Sequence, residues 1–215
     1  MGLDTDKNYY HHDRTEVLAH VPLSASRVLD VGCGAGLFAA ALKQQQKAEV
    51  WGVELNAVIA EQARGNVDRL LIGDVTALVD GLPDDHFDCI VCNDVLEHIY
   101  DPAALLCKFK LKLKKHGVLI CSIPNIRFIR VLKDLLLKKK WEYTDSGILD
   151  ITHVRFFTQT SMANMFRRSG YQVVEIVGLN PRKMSLGFFI LNLISGGFLD
   201  DTRFPQFLCT VRPGQ

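Results

Sequence analysis

Short apolar runs alternate with longer segments of helical character along most of the chain. Runs of this kind predict β-strands, and their alternation with helices is typical of an α/β fold. We therefore expect a mostly parallel sheet with helices on both faces. The seven predicted strands are Arg27–Val31, Glu49–Glu54, Arg69–Ile72, Phe87–Cys92, Gly117–Ile123, Tyr171–Val177 and Phe207–Val211.

Two of the intervening helices carry clear boundary signals. Asp101 precedes Pro102, which combines an acidic N-cap with proline at the first helical position. The segment Thr158–Arg168 predicts another helix, which closes at Gly170. These signals support the α/β assignment independently of the apolar runs.

Two segments interrupt the alternation, Asn125–Phe157 and Gly178–Pro205. Insertions at the carboxyl ends of strands in such sheets commonly bind substrates. The first insertion contains Trp141, Tyr143 and His153. The second predicts either a lid over a hydrophobic acceptor or ordinary packing against the sheet, because it is rich in apolar side chains: Phe188, Phe189, Leu191, Leu193 and Phe198.

The length of 215 residues fits a single domain over residues 1–215, with both insertions on its substrate side. A net charge of +1 gives no electrostatic reason to expect nucleic acid or a membrane as partner. The apolar stretch Leu186–Leu199 is too short and too interrupted to span a bilayer. We interpret the lysine-rich segments Lys108–Lys115 and Leu137–Lys140 as solvated faces, with an anion-binding patch as the alternative.

The six cysteines are scattered and mostly lie in apolar runs, as reduced core cysteines do. Cys89 and Cys92 form a Cys-x-x-Cys pair, but residues three apart on a strand point to opposite faces. We therefore predict neither a redox pair nor a shared metal site there. The pattern indicates a reduced, cytoplasmic protein.

The most informative stretch is Val28–Gly36, an apolar strand containing Asp30 that breaks into a turn with Gly32, Gly34 and Gly36. A strand, a glycine turn and a helix start form the nucleotide-binding corner of a doubly wound sheet. The third glycine comes one residue earlier than in a dinucleotide fingerprint, and the lysine of a P-loop is missing. The turn therefore favours a ligand with a cationic or zwitterionic part over a pyrophosphate.

Acidic residues at the ends of the next strands support a nucleotide ligand. Glu54 ends the second strand about twenty residues past the turn, where an acid accepts hydrogen bonds from ribose hydroxyls. Asp74 follows the third strand and is well placed for an adenine amino group. The segment Phe87–Ile99 runs from a buried strand into polar residues that face the crevice.

Together these residues resemble the class I S-adenosylmethionine-dependent methyltransferases, with Val28–Gly36 similar to that family's first motif and Phe87–Ile99 to its fourth-strand motif. His153–Thr158 and Ser169–Tyr171 resemble a subfamily near the ubiquinone-biosynthesis O-methyltransferases. The resemblance spans roughly residues 9–177. It implies a Rossmann-like sheet of seven strands whose last strand is antiparallel, and S-adenosylmethionine as the cofactor.

The resemblance also implies a role for each matched residue. The cofactor-binding residues are Gly32, Gly34 and Gly36 beneath the methionine and ribose, Asp30 at the methionine amino group, Glu54 at the ribose, Asp74 and Val75 at the adenine, and the Asn93 backbone at the methionine end. Tyr9 or Tyr10 would close over the methionine carboxylate.

Methyl transfer from a sulfonium requires alignment of the acceptor and exclusion of water, and some acceptors must also lose a proton. His98, after the fourth strand, and His153, in the first insertion, are candidate general bases because a histidine pKa lies near working pH. A structural role stays open for each. His98 could orient a helix start, and His153 could partner an acid such as Asp150.

The segment Asp94-x-x-Glu97-His98 resembles an acid-x-x-Glu-His cluster that holds a divalent cation in the ubiquinone O-methyltransferases, where the cation acidifies a catechol hydroxyl. Here the shorter Asp94 stands where the resemblance implies Glu. We therefore assign no metal ligand from the sequence.

The sequence predicts a methyltransferase that methylates a small-molecule acceptor, through oxygen in preference to nitrogen or carbon. An RNA-modifying methyltransferase that uses the lysine-rich segments is one alternative, although the small net charge disfavours nucleic acid. A cofactor-binding protein without catalysis is a second alternative, and a dehydrogenase is the remaining one. The sequence indicates no oligomeric state.

Overall fold

The computed structural model describes residues 14–214. Over this range the chain forms a seven-stranded sheet with helices on both faces. The strands are β1 (Arg27–Val31), β2 (Glu49–Glu54), β3 (Arg69–Ile72), β4 (Phe87–Asn93), β5 (Leu113–Pro124), β6 (Tyr171–Leu179) and β7 (Gln206–Pro213). The α-helices are α1 (Thr15–Leu18), α2 (Leu37–Gln45), α3 (Ala57–Ala63), α4 (Val75–Leu78), α5 (Pro102–Lys112), α6 (Ile129–Lys138), α7 (Gln159–Arg168) and α8 (Leu186–Ile194).

The strand order across the sheet is β3-β2-β1-β4-β5-β7-β6. Strands β1 to β5 pair in parallel, and β7 runs antiparallel to both of its neighbours. This confirms the expected Rossmann-like α/β sheet with an antiparallel last strand. The direction of strand succession reverses between β1 and β4, so their carboxyl ends flank the crevice in which such sheets bind ligands.

Each face of the sheet has its own apolar core. Phe109 of α5 and Phe166 of α7 belong to one core, and Leu42 of α2 belongs to the other. Cys92 lies in the first core and Cys89 in the second, which confirms that these two cysteines point to opposite faces. All six cysteines are free thiols.

The predicted helix signals act as expected. The side chain of Asp101 accepts a hydrogen bond from the N–H of Ala104 at 3.0 Å and so caps α5. Thr158 and Ser161 form a reciprocal capping box at the start of α7. Gly170 follows the end of α7 with a φ of 80°, a left-handed conformation that glycine adopts without strain.

The first lysine-rich segment is more than a solvated face. Lys112 is buried, and its ammonium donates to the main-chain oxygen of Leu82 at 2.8 Å. Like Lys108 and Lys114, it also forms an ion pair with an aspartate. The solvated-face interpretation is wrong for Lys112, because a lysine can be buried once a carbonyl and a carboxylate satisfy its ammonium.

Both insertions leave the same edge of the sheet. Gln206, which begins β7, pairs with Pro124 at the end of β5 and with Leu179 at the end of β6. Helix α6 lies in the first insertion and α8 in the second. Phe188 is the buried residue of α8, so packing against the sheet is the wrong interpretation for most apolar side chains of this helix. No helix of the described range is long and apolar enough to cross a bilayer.

Candidate active site

The glycine turn between β1 and α2 has the backbone that its sequence requires. Gly32, Gly34 and Gly36 have φ values of 72°, 53° and 78°, a region that other residues rarely adopt. The N–H of Gly32 donates to the main-chain oxygen of Val53 at 2.8 Å, which ties the turn to β2. A Cβ on Gly32 would lie 2.8 Å from Cγ2 of Val95, so the turn closely approaches the segment after β4.

Glu54 joins the end of β2 to this turn. Its Oε2 accepts from the N–H of Gly34 at 2.9 Å, and its Oε1 accepts from the N–H of Asn56 at 2.9 Å. The side chain is buried. A carboxylate has about four acceptor positions, so each oxygen retains a lone pair with which to accept a ribose hydroxyl.

Asp30 lies in β1, just before the glycine turn, and is buried. Its Oδ2 has no hydrogen-bond partner among the described residues. Burial raises the pKa of Asp30 to about 7, and the charge of Glu54 contributes to the rise. A buried, unpartnered carboxyl group is suited to an ammonium group, such as the amino group of methionine.

Asp74 and Val75 lie where β3 passes into α4. The Oδ1 of Asp74 accepts from the N–H and the hydroxyl of Thr76, both at 2.8 Å, which caps the helix. Val75 is buried. A cavity of about 200 Å³ is lined by Asp74, Thr76, His98 and Tyr100 among others. The fold thus brings the predicted adenine-binding acid and one predicted base to the same cavity.

Asn93 and Asp94 follow β4 at the same edge. The Oδ1 of Asn93 accepts from the hydroxyl of Ser122 at 3.3 Å. Asp94 has a φ of 53°, and its carboxylate accepts from the guanidinium of Arg14 and from the side-chain amide of Gln206. The sequence gives no signal for these two partners, which lie 80 and 112 positions from Asp94.

His98 and His153 are far apart in the sequence and meet beside the carboxyl edge of the sheet. Their ring centroids are 4.8 Å apart, in an edge-to-face arrangement. Glu97 completes a cluster in which one donor atom from each of the three side chains lies within 4.8 Å of the others. Both carboxyl oxygens of Glu97 are buried without a hydrogen-bond partner among the described residues. Such a group marks a candidate functional site.

The backbone of Glu97 holds the first insertion in place. Its main-chain oxygen accepts from the N–H groups of Val154 and Arg155, both at 3.0 Å. The Nδ1 of His153 lies 3.0 Å from the main-chain oxygen of Ile148. A carbonyl oxygen can only accept, so Nδ1 carries the proton and Nε2 is the basic atom of the neutral ring.

The side chain of Asp150 is linked to His98 through Thr152, whereas its contact with His153 is through the main chain. Its Oδ1 accepts from the hydroxyl of Thr152 at 2.6 Å, and the main-chain oxygen of Thr152 lies 3.3 Å from Nδ1 of His98. The contact between His153 and Asp150 joins main-chain groups only, with the N–H of His153 donating at 3.0 Å.

Burial also sets the protonation of this cluster. It raises the pKa of Glu97 to about 8. It lowers the pKa of His98, and the neighbouring His153 lowers that pKa further. Burial therefore favours the protonated form of Glu97 and the uncharged form of His98.

The three side chains also suit a divalent cation, since two imidazoles and a carboxylate are metal ligands that the chain brings together. This set differs from the one implied by the resemblance. Asp94 is bonded to Arg14 and Gln206, and His153 stands beside Glu97 and His98 instead. A set with two nitrogen donors favours Zn²⁺ or Fe²⁺ over Mg²⁺.

The structure thus gathers Asp30, the three glycines and Glu54 around the ends of β1 and β2, with Asn93 beside them at the end of β4. His98 and His153 lie on the side of the first insertion. Tyr9 and Tyr10 lie outside the described residues.

This fold and this site define a class: a Rossmann-like methyltransferase, with a glycine turn after β1 and an acid at the end of β2. A family model described as "Methyltransferase domain" matches residues 6–176. The chain belongs to this family, and it is an S-adenosylmethionine-dependent methyltransferase.

Curated relatives cover most of the chain. A ubiquinone biosynthesis O-methyltransferase of Xylella fastidiosa is 39% identical over 167 residues, which are 74% of this chain and 66% of that protein. One of Neisseria meningitidis is 28% identical over 178 residues, which are 77% of this chain and 72% of that protein.

Solved structures share the fold. A methyltransferase from Archaeoglobus fulgidus described as dependent on S-adenosylmethionine superposes with a TM-score of 0.70 at 18% identity, covering 92% of this chain and 91% of that one. The 1,6-didemethyltoxoflavin-N1-methyltransferase of Burkholderia thailandensis, solved with S-adenosylhomocysteine bound, gives a TM-score of 0.62 at 18% identity, covering 98% of this chain and 80% of that one.

Proposed function

We propose that this protein methylates a hydroxyl oxygen of a small-molecule acceptor. The observation that carries the proposal is the His98–His153 pair beside the cofactor crevice. A hydroxyl becomes a good methyl acceptor only as it loses its proton, and a neutral imidazole is the side chain best suited to take it near pH 7. The O-methyltransferases among the curated relatives support the same chemistry.

Bound S-adenosylmethionine supplies an activated methyl group. Asp30 would pair with its amino group, Glu54 with its ribose hydroxyls, and Asp74 and Val75 with its adenine. The acceptor oxygen would take the methyl group as the carbon–sulfur bond breaks, with S-adenosylhomocysteine as the leaving group. A ring nitrogen of His98 or His153 would take the hydroxyl proton. The protein contributes alignment, exclusion of water and this proton transfer.

The same cluster would hold a divalent cation through Glu97, His98 and His153. A cation bound there would lower the pKa of a coordinated hydroxyl, which serves the same purpose as a general base. The two routes place different demands on the protein, since only the second requires an added metal.

Transfer of a labelled methyl group from S-adenosylmethionine to a panel of catechols, phenols, sugars and amines tests the proposal. We expect label on a hydroxyl oxygen, and a loss of kcat of about 10²-fold or more in His98→Gln and in His153→Gln. Activity that survives a chelator favours the histidine route, and activity that a chelator removes and Zn²⁺ or Fe²⁺ restores favours the cation route.

His116→Gln is the matched control, because this histidine is exposed near the start of β5. We expect its kcat to equal that of the wild type. Label found only on nitrogen or carbon, or full activity in both active-site histidine variants, would contradict the proposal.

Two alternative functions can be tested with the same purified protein. An RNA-modifying enzyme would use the lysine-rich segments, but Lys108, Lys112 and Lys114 are already engaged with aspartates, which weakens this alternative. Binding of bulk tRNA at low salt would revive it. Tight cofactor binding without transfer to any acceptor would favour a non-catalytic binding protein.

The buried free cysteines fit the proposal of a reduced, cytoplasmic enzyme.

A further inference from the structure

Helix α8 is apolar on all sides and largely exposed. Its sequence is Leu-Gly-Phe-Phe-Ile-Leu-Asn-Leu-Ile, and Phe188 is its buried residue. Leu193 is 81% exposed, and Ile190, Ile194 and the following Phe198 are exposed as well. A helix that is hydrophobic all round is normally buried in a protein core or in lipid.

Helix α6 adds a second apolar surface that carries positive charge. No residue of this helix is buried, and its leucines include Leu136, which is 73% exposed. Residues 125–142 contain six basic and two acidic side chains, a net charge of +4 in a chain whose total is +1. Arg130, Lys133 and Lys139 form no salt bridge with any residue of the described range. The positive charge is therefore concentrated beside exposed leucines.

Residues that flank α6 and α8 contact each other. The guanidinium of Arg127, just before α6, lies 4.6 Å from the ring centroid of Phe198, just after α8. Its NH2 group donates to the main-chain oxygen of Phe198 at 3.0 Å, and its Nε lies 2.9 Å from a carboxylate oxygen of Asp201. Both insertions also leave the same edge of the sheet. The exposed apolar residues and the basic residues thus belong to one side of the molecule.

We propose that α6, α8 and Phe198 form a surface that binds an anionic lipid membrane. Exposed leucine, isoleucine and phenylalanine side chains can enter the boundary between headgroups and acyl chains, and adjacent lysine and arginine side chains attract anionic headgroups. Charge complementarity favours a lipid surface. A protein partner would have to present acidic side chains around an apolar groove, whereas an anionic bilayer offers both chemistries everywhere.

The lipid-binding surface is also connected to the candidate active site. The rings of Trp141, just after α6, and Phe156 are 5.7 Å apart, and those of Phe156 and His153 are 6.3 Å apart. Docking would therefore bring the membrane close to the histidine pair. This inference goes beyond the proposed function and does not depend on it, since membrane binding can occur whatever the acceptor.

Fluorescence of the full chain mixed with vesicles tests the proposal directly. The chain has two tryptophans, of which Trp51 is buried and Trp141 is 39% exposed. With vesicles of phosphatidylglycerol and phosphatidylcholine, we expect a blue shift of the emission and quenching by brominated lipid chains, both arising from Trp141. Vesicles of phosphatidylcholine alone, or salt raised from about 0.1 M to about 0.5 M, should weaken binding at least ten-fold.

Flotation with matched variants separates the contribution of the exposed apolar side chains to vesicle binding from that of the basic side chains. Leu136→Glu combined with Leu193→Glu should reduce vesicle binding at least ten-fold, whereas Leu23→Glu, at a site 74% exposed before β1, should not change it. Lys133→Glu combined with Lys139→Glu should also reduce binding at least ten-fold, because each basic residue near the surface contributes about five-fold. Lys115→Glu, an exposed lysine of β5, is the control for charge.

The proposal is wrong if the wild-type chain does not float with anionic vesicles, or if all four variants bind equally. A dimer that forms with increasing concentration in light scattering, without vesicle binding, would assign the surface to a second copy of this chain. Thermal melting of each variant shows whether it is folded. If a glutamate variant does not fold, brominated-lipid quenching of the wild type still decides the question.

Discussion

Among single residues, Asp30 combines burial with a proposed role that needs its charge. Its side chain is buried, one oxygen lacks a partner, and burial raises its pKa to about 7. An ammonium group bound there would compensate the carboxylate, so ligand binding and the protonation of Asp30 are coupled. The buried carboxylate of Asp30 therefore lowers the stability of the ligand-free protein, and a bound ammonium group would offset this loss.

Asp30→Asn should make the free protein more stable at pH 8 than the wild type. An acid whose pKa rises on folding contributes stability below its unfolded pKa of about 4 and loses it as pH increases to about 7. The free energy of unfolding of the wild type should therefore fall relative to that of the variant between pH 4 and 7, by up to about 4 kcal/mol. Urea unfolding at a series of pH values measures this difference.

The same variant should bind S-adenosylhomocysteine more weakly, because a neutral amide cannot pair with the amino group. A loss of about 10-fold or more is expected from the removal of one charge-assisted hydrogen bond. Parallel stability–pH profiles in the two proteins, or equal affinities for the ligand, would contradict this account of Asp30.

Contacts between residues that are far apart in the sequence could not be predicted from the sequence. Asp30 and Glu54 follow from a glycine turn and from spacing, which are local signals. The approach of His153 to His98 depends on how the first insertion folds, and its anchor is a main-chain oxygen of Glu97 that no side-chain pattern encodes. The pairing of Asp94 with Arg14 likewise requires the folded chain.

At the scale of elements, the turn from β1 into α2 depends on glycine for two reasons. Gly36 has a φ of 78°, and a Cβ there would lie 2.9 Å from Cβ of Asn66 and 3.1 Å from Cβ of Ala63. Backbone strain and close packing therefore both exclude a side chain at this position.

Gly36→Ala should lower the free energy of unfolding by about 2–4 kcal/mol, from left-handed strain and overpacking together. Gly65→Ala is the matched control, because a Cβ at Gly65 would meet no atom within 4 Å. Chemical denaturation of the two variants measures the difference. Equal stability of both variants would show that the turn tolerates a side chain.

The strands were predictable where apolar runs end at polar residues. Strands β1, β2 and β3 have the predicted bounds. Strand β5 begins earlier than predicted, at Leu113, because the polar run Lys114–His116 hides its first part. Helix α8 was the harder case, since its apolar side chains resemble those of a packed helix and lie exposed instead.

At the scale of the whole molecule, the sheet brings separate parts of the chain to one edge. The carboxyl ends of β1, β2 and β4 carry Asp30, Glu54 and Asn93, and both insertions leave from that edge. Strand order and direction therefore place the proposed methyl-donor residues, the histidine pair and the exposed apolar helices on one side of the molecule.

We expect this edge to bind the methyl donor through Glu54 and the glycine turn, and calorimetric titration with S-adenosylhomocysteine measures that binding. We predict binding by the wild type, affinity about ten-fold or more lower in Glu54→Gln, and unchanged affinity in Glu49→Gln, at the opposite end of the same strand. No binding by the folded wild type, or equal affinity in Glu54→Gln, would contradict the account.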